Sequence, residues 1–342
     1  MPLTGERREI ERVEEVAEVG SVVPLVREVV LLPGGKGEPP LVVERTTRPE
    51  GPTRPPVVLI HGFAQNRFTW RVSGRSFVAA LAREGFEVLN LELRGHGRSR
   101  EAGAGNATAF SEYVADARRV VGACDRPPFV IGHSLGGGVG VGLATEVPLA
   151  GLVHLAGVYT FASRNRTLRW LARTTVGFEP LLRAAPIRLH TGWTGQLVSS
   201  LYQVTDILGY GAPIAGWVPG SLERDLLEER LVQGFDWTSV EVWLQMSRWA
   251  LGEPFAWREA FRTTDVPLLV VVGDADPLVT EGDARACFEE SGSRDKRYQL
   301  FDAFEHGVHW GHVDLILGKD APRVVWPVLL DWLRARSQAH LR

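Results

Sequence analysis

Pro128-Phe129-Val130-Ile131-Gly132-His133-Ser134-Leu135-Gly136-Gly137-Gly138 is the stretch on which the fold of this chain turns. The apolar run 128–131 reads as a buried strand. Gly132–Gly136 spells G-x-S-x-G, and the small residues from Gly137 to Glu146 read as a helix. Strand, sharp turn and helix are the context that gives this motif meaning. Small residues at 132 and 136 let the chain reverse tightly, with Ser134 at the apex in a strained backbone conformation. Its hydroxyl then projects from the sheet edge at a helix N-terminus, where free N–H groups favour a developing oxyanion. Ser134 is therefore a candidate nucleophile; a polar turn before a helix is the plainer alternative. The glycines from 136 to 142 lack the acidic ribose partner of a dinucleotide loop and read as close helix–sheet packing.

On both sides of this stretch, strand and helix signals alternate. Upstream, Val26–Leu32 and Leu41–Thr47 are strand-like and are separated by the glycine cluster 34–37. Val57–Ile60 and Glu87–Leu91 follow as strands, Phe68–Glu84 and Thr108–Ala123 as helices. Downstream come the strand Leu149–Leu155 and, after a long gap, the strand Pro267–Val272. A helix at Thr280–Glu290, with Thr280 and Asp283 as a capping box, the strand Arg297–Phe301 and a helix near Arg323–Arg336 complete the pattern. This alternation predicts an α/β fold whose mainly parallel sheet is covered by helices on both faces. Residues 6–19 hold six Glu and three Arg, with Ile10, Val13, Val16 and Ala17 at helical spacing, so 1–25 reads as a charged arm or surface helix.

The gap at 162–265 reads as helices inserted between two sheet strands, placed to cover the Ser134 edge as a cap. The core would then be 26–161 and 266–342. Seven of the eleven tryptophans fall in the gap: Trp170, Trp193, Trp217, Trp237, Trp243, Trp249 and Trp257. Most are expected in the insert's own core, with one or two facing substrate. Its arginines, Arg164 to Arg188, read as a solvated face, with recognition of an anionic acyl carrier or substrate carboxylate as the alternative.

A length of 342 residues, 44% apolar and 23% charged, suits one large globular domain with an insertion. The net charge of -3 gives no reason to expect nucleic acid or an anionic membrane as partner. Cys124 and Cys287 form neither a metal set nor a disulfide framework. No metal or other cofactor is expected. No run approaches a membrane span and no apolar leader opens the chain, so the expected location is cytoplasmic. Oligomeric state is left open.

A serine nucleophile needs a base, and the base needs an orienting acid. Of nine histidines, His306, His309 and His312 share the loop after the last strand, where a base belongs. His312, nearest the final helical region, is preferred and His309 is second. The acid should follow a late strand. In Gly273-Asp274-Ala275-Asp276-Pro277, Asp276 lies further into the loop and is preferred; Asp274 is the alternative, suited to bonding local backbone. The oxyanion donors should be the N–H groups of Leu135 and Phe63, with Gly62 allowing close approach. His61 and His133 read as structural.

Taken together, His61-Gly62-Phe63, Leu93-Arg94-Gly95-His96-Gly97-Arg98-Ser99, the elbow, Gly273–Asp276 and Gly311-His312 resemble a capped serine α/β-hydrolase from about Val26 onward. The tail Gly311–Ala321 is also similar to acid-lipase-like hydrolases and to polyhydroxyalkanoate synthases. Those synthases use Cys where this chain has Ser134; dehalogenases and epoxide hydrolases of the superfamily use Asp. The resemblance implies an enzyme that hydrolyses small-molecule carboxyl esters with an apolar acyl part through a Ser-Asp-His triad. Acyl transfer or thioester hydrolysis by the same residues is the alternative, and a catalytically silent binding protein is the reading from another class.

Overall fold

The computed structural model describes residues 5–184, 189–190 and 216–337. Nine strands form one sheet: β1 (Glu6–Glu18), β2 (Ser21–Leu32), β3 (Leu41–Thr47), β4 (Pro56–Ile60), β5 (Glu87–Glu92), β6 (Phe129–His133), β7 (Gly151–Leu155), β8 (Leu268–Gly273) and β9 (Lys296–Phe301). Their order across the sheet is β1-β2-β3-β5-β4-β6-β7-β8-β9. The first four neighbours pair antiparallel, and from β5 to β9 every pairing is parallel. Parallel strands need a crossover at each step, and crossover helices cover both faces. One face carries α2 (Phe110–Gly122), α3 (Leu135–Glu146) and α7 (Glu281–Glu290); the other carries α1 (Phe77–Arg83) and α9 (Ala321–Ser337). The expected α/β class is what the chain adopts.

The segment 6–19 is a correction. Its apolar residues fit helical spacing, yet Glu6–Glu18 is a strand, paired with β2 from Glu6↔Leu31 to Glu18↔Ser21. Val19-Gly20 makes the two-residue turn, with Gly20 at φ 79°. The charges that suggested a solvated helix serve cross-strand pairing: Arg27 binds Glu15 and Glu11, and Ser76 donates to Glu15 at 2.7 Å. A second correction lies in 68–84. Only Phe77–Arg83 is α-helix, its start fixed by the Ser76 hydroxyl accepting the Ala79 N–H at 3.0 Å. A 3₁₀ turn, Arg67–Thr69, and a small hairpin, Arg71-Val72 against Arg75-Ser76, occupy the rest.

Between β7 and β8 the described residues contain α4 (Arg166–Gly177), α5 (Arg224–Gln233) and α6 (Val240–Ala250), together with shorter helices at Glu179–Ala184 and Arg258–Phe261. Asn165 caps α4 and Ser239 caps α6, each accepting an N–H three residues on. Trp217 is buried, Trp170 is exposed, and Trp193 lies outside the described residues. No described helix is long and apolar enough to cross a membrane.

Candidate active site

Ser134 sits between β6 and α3 at φ 57°, ψ −121°, a conformation that costs a non-glycine residue about 1–3 kcal/mol. The residues two positions to either side must be glycines. A Cβ at Gly132 would lie 2.1 Å from the Gly136 carbonyl oxygen, and one at Gly136 would lie 2.2 Å from that of Ile60. The strained turn is clamped by backbone bonds. The Ser134 N–H donates to Leu155 O at 3.1 Å, and its carbonyl accepts from Gly137 and Val158, each at 2.9 Å. Further along α3, a Cβ at Gly137 would meet the Gly157 Cα at 2.5 Å, so these glycines serve close helix–sheet packing.

The loop after β4 lies against the elbow, with the Cβ position of Gly62 3.1 Å from the Ser134 Cβ. His61 sets that loop. Leu93 N–H donates to its Nε2 at 3.2 Å, so the proton is on Nδ1, which donates to Gly62 O at 2.9 Å. Burial pushes this imidazole well below its ordinary pKa, and His96 and Arg230 add to the effect, so it stays neutral. Neither Phe63 N–H nor Leu135 N–H donates to another described group. The Phe63 ring packs 5.6 Å from that of Trp243 on α6.

The two late loops bring together four residues singled out in the sequence, in two pairs. His312 Nδ1 is 2.7 Å from Asp276 Oδ2, and both side chains are almost wholly buried, 2% and 0% exposed. The other Asp276 oxygen accepts the N–H groups of Leu278 (2.8 Å) and Val279 (3.0 Å), which fixes the carboxylate. His309 Nδ1 is 2.6 Å from Asp274 Oδ2, with His309 63% exposed. Asp274 also accepts the Trp310 N–H at 2.9 Å, a backbone partner 36 residues away rather than the local one expected.

His312 stands beside the elbow because His133, the residue before Ser134, holds it there. The two rings are 4.5 Å apart, and His133 Nε2 donates to His312 O at 3.0 Å. Burial, with the His312 imidazole beside it, pushes His133 well below its ordinary pKa, so it is neutral. His312 Nε2 is buried and has no hydrogen-bond partner among the described residues. A nitrogen aimed away from its carboxylate and left open is placed to take a proton.

Sequence reasoning missed Asp314, buried two residues beyond His312, which accepts N–H groups from Gly311 and from Val218 within the insert. Only the acidic residue so close to the candidate base could have signalled it.

The alpha/beta hydrolase family matches residues 57–327. The chain is 26% identical over 268 residues to a monoacylglycerol lipase of Mycolicibacterium smegmatis, covering 76% of this chain and 84% of that protein. Two solved structures share the fold at low identity. One is a soluble variant of monoglyceride lipase from Saccharomyces cerevisiae, with TM-score 0.61, 17% identity, and 93% of this chain and 98% of that one covered. The other is a thermostable carboxyl esterase from Bacillus coagulans, with TM-score 0.61, 15% identity, and 90% and 97% covered. Because the family match runs over most of the chain and takes in the elbow and both Asp–His pairs, this protein belongs to the alpha/beta hydrolase family.

Proposed function

We propose that the chain is a serine hydrolase that cleaves small-molecule carboxyl esters with an apolar acyl part. One observation carries the reading: the buried Asp276–His312 bond leaves His312 Nε2 without a partner among the described residues, and the His312 ring packs on His133, the residue before the strained Ser134. In this mechanism Ser134 attacks the ester carbonyl, and His312 Nε2 takes its proton and returns it to the leaving alcohol. Asp276 holds the imidazole in the Nδ1–H tautomer and stabilises the imidazolium. The N–H groups of Phe63 and Leu135 bind the oxyanion. Water, activated by the same His312, then releases the acid from Ser134. The mycobacterial relative named as a monoacylglycerol lipase supports an ester as substrate.

Residues 162–265 act as a cap that shapes the acyl pocket over the core, which runs from 6 to 161 and from 266 to 337 now that β1 and β2 join the sheet. The Phe63–Trp243 contact supports this division, since it joins the oxyanion loop to the insert.

A fluorophosphonate should modify Ser134 and no other serine. Ser134→Ala should lower kcat by about 10⁶ on the best ester of a chain-length panel. Near-normal turnover by that variant ends the proposal. Product analysis with added alcohol acceptors reads transfer against hydrolysis.

A further inference from the structure

Asp314 opens the short helix α8 (Asp314–Leu317) and is 1% exposed. Its Oδ2 accepts the N–H of Gly311 at 2.7 Å and of Val218 at 2.9 Å; its Oδ1 accepts the Ser221 hydroxyl at 2.8 Å. One carboxylate thus joins the His312 loop to Gly216–Ser221, the segment that leads into α5. The join is close-built. The Val313 N–H donates to Gly216 O at 2.9 Å, and Lys319 N–H donates to Ser221 O at 2.8 Å. A Cβ at Gly216, itself at φ 67°, would lie 2.7 Å from the His312 Cβ; one at Gly311 would lie 2.8 Å from both Asp314 Oδ2 and Gly216 O.

No described cation pairs with this carboxylate. Asp276 faces it from the loop after β8, His309 and His312 lie on its own loop, and Lys319 and Asp320 follow on the turn after α8. Lys319 Nζ is engaged by Gly220 O at 2.8 Å. Arg75, which reaches Leu317 O at the far end of α8, is paired with Glu223. Burial and the charge of Asp276 push the Asp314 carboxyl up to about 7, against the three hydrogen bonds that favour its ionised form. A cavity of about 240 Å³, lined by residues 218–221, 308–310 and 318–320 as well as Asp314, gives water a route to it. An ionised group so placed costs stability. A raised carboxyl stabilises the fold below the ordinary carboxylate range, and that contribution is lost as pH rises through about 7. An amide would accept the same N–H groups and donate to Ser221 without this cost.

We propose that Asp314 is a positioning residue that couples the insert to His312, and that its ionised form supports the imidazolium formed when His312 takes the serine proton. The tie fixes where His312 sits; the charge, added to that of Asp276, favours the protonated base in the transition state. This inference rests on reading Ser134 and His312 as the reacting pair.

The test is the pH profile of kcat/KM on one ester, with fluorophosphonate labelling of Ser134 measured in parallel. The wild type should lose about tenfold across a step near neutrality, on top of the loss due to His312, since one pKa unit of electrostatic support is a factor of ten. Asp314→Asn should run about tenfold lower at alkaline pH with KM little changed, lack the step, and melt no earlier than wild type at pH 8. Ser221→Ala, which removes one bond to the charged form, should move the step upward by about half a pH unit. Equal activity of Asp314→Asn and wild type with a shared acid limb overturns the inference, as does an unmoved step in Ser221→Ala should the asparagine variant fail to fold. Wild-type protein that does not label at Ser134 would instead overturn the catalytic reading.

Discussion

Two Asp–His pairs stand side by side in this molecule, built from the same two loops at nearly the same distance, and they differ in burial. Asp276–His312 lies at 2.7 Å and is closed to solvent; Asp274–His309 lies at 2.6 Å with its imidazole 63% exposed. A hydrogen-bond length alone does not distinguish them. Water around His309 screens the carboxylate and competes for its proton, so that pair is worth little. Around His312, three features act together: Leu278 and Val279 N–H groups lock the carboxylate, His133 holds the backbone, and Nε2 is buried and left without a partner among the described residues. Surroundings, more than residue type, make one pair fit for proton transfer.

The comparison breaks most sharply at the imidazoles. His312→Ala should approach the loss of about 10⁶ in kcat expected when a serine-hydrolase triad loses its base. Asp276→Asn should cost about 10⁴, because the amide offers the wrong partner for Nδ1–H and removes the counter-charge. Steady-state kinetics on one ester checks both. If Asp274→Asn is the damaging change, the assignment is reversed while the fold stands.

A smaller effect sharpens the division between chemistry and selectivity. Trp243, against Phe63, is the described insert tryptophan best placed to bear on acyl length, whereas Trp249 packs into the core beside Phe110 and Phe255. Each methylene seated in an apolar pocket is worth about 0.8 kcal/mol, a severalfold change in kcat/KM. Trp243→Ala should shift the optimum toward longer acyl chains while Ser134 still labels. Trp217→Ala, in the core, should leave the optimum in place and lower stability by about 3–5 kcal/mol. A chain-length profile beside melting curves reads both, and an unchanged profile in every folded variant removes the selectivity role. The smallest effects belong to the exposed pair: His309→Ala and Asp274→Asn should stay within about twofold of wild-type kcat/KM.

Much of this was legible in the sequence because it depends on neighbours along the chain. The elbow needs glycines two residues either side of Ser134, where any Cβ would strike backbone. The capping box of Thr280 and Asp283 spans three residues and starts α7 as read, with the Thr280 N–H donating to Asp283 at 3.1 Å. The segment 6–19 failed for the opposite reason. Its apolar spacing fits a helix, but the partners of its charged residues are on β2 and in the hairpin before α1. Asp314 was missed likewise, since its donors include Val218 and Ser221, nearly a hundred residues away in the chain.

By itself the sequence determined the α/β architecture and the candidate nucleophile, since period, turn chemistry and capping act over a few residues. It also narrowed the base and acid to a few positions in two loops. Only the tertiary structure decided how those positions pair, which pair is buried, and which distant carboxylate ties the insert to His312. Desolvation and hydrogen bonding depend on what packs around a group, and that is set by segments far apart in the chain.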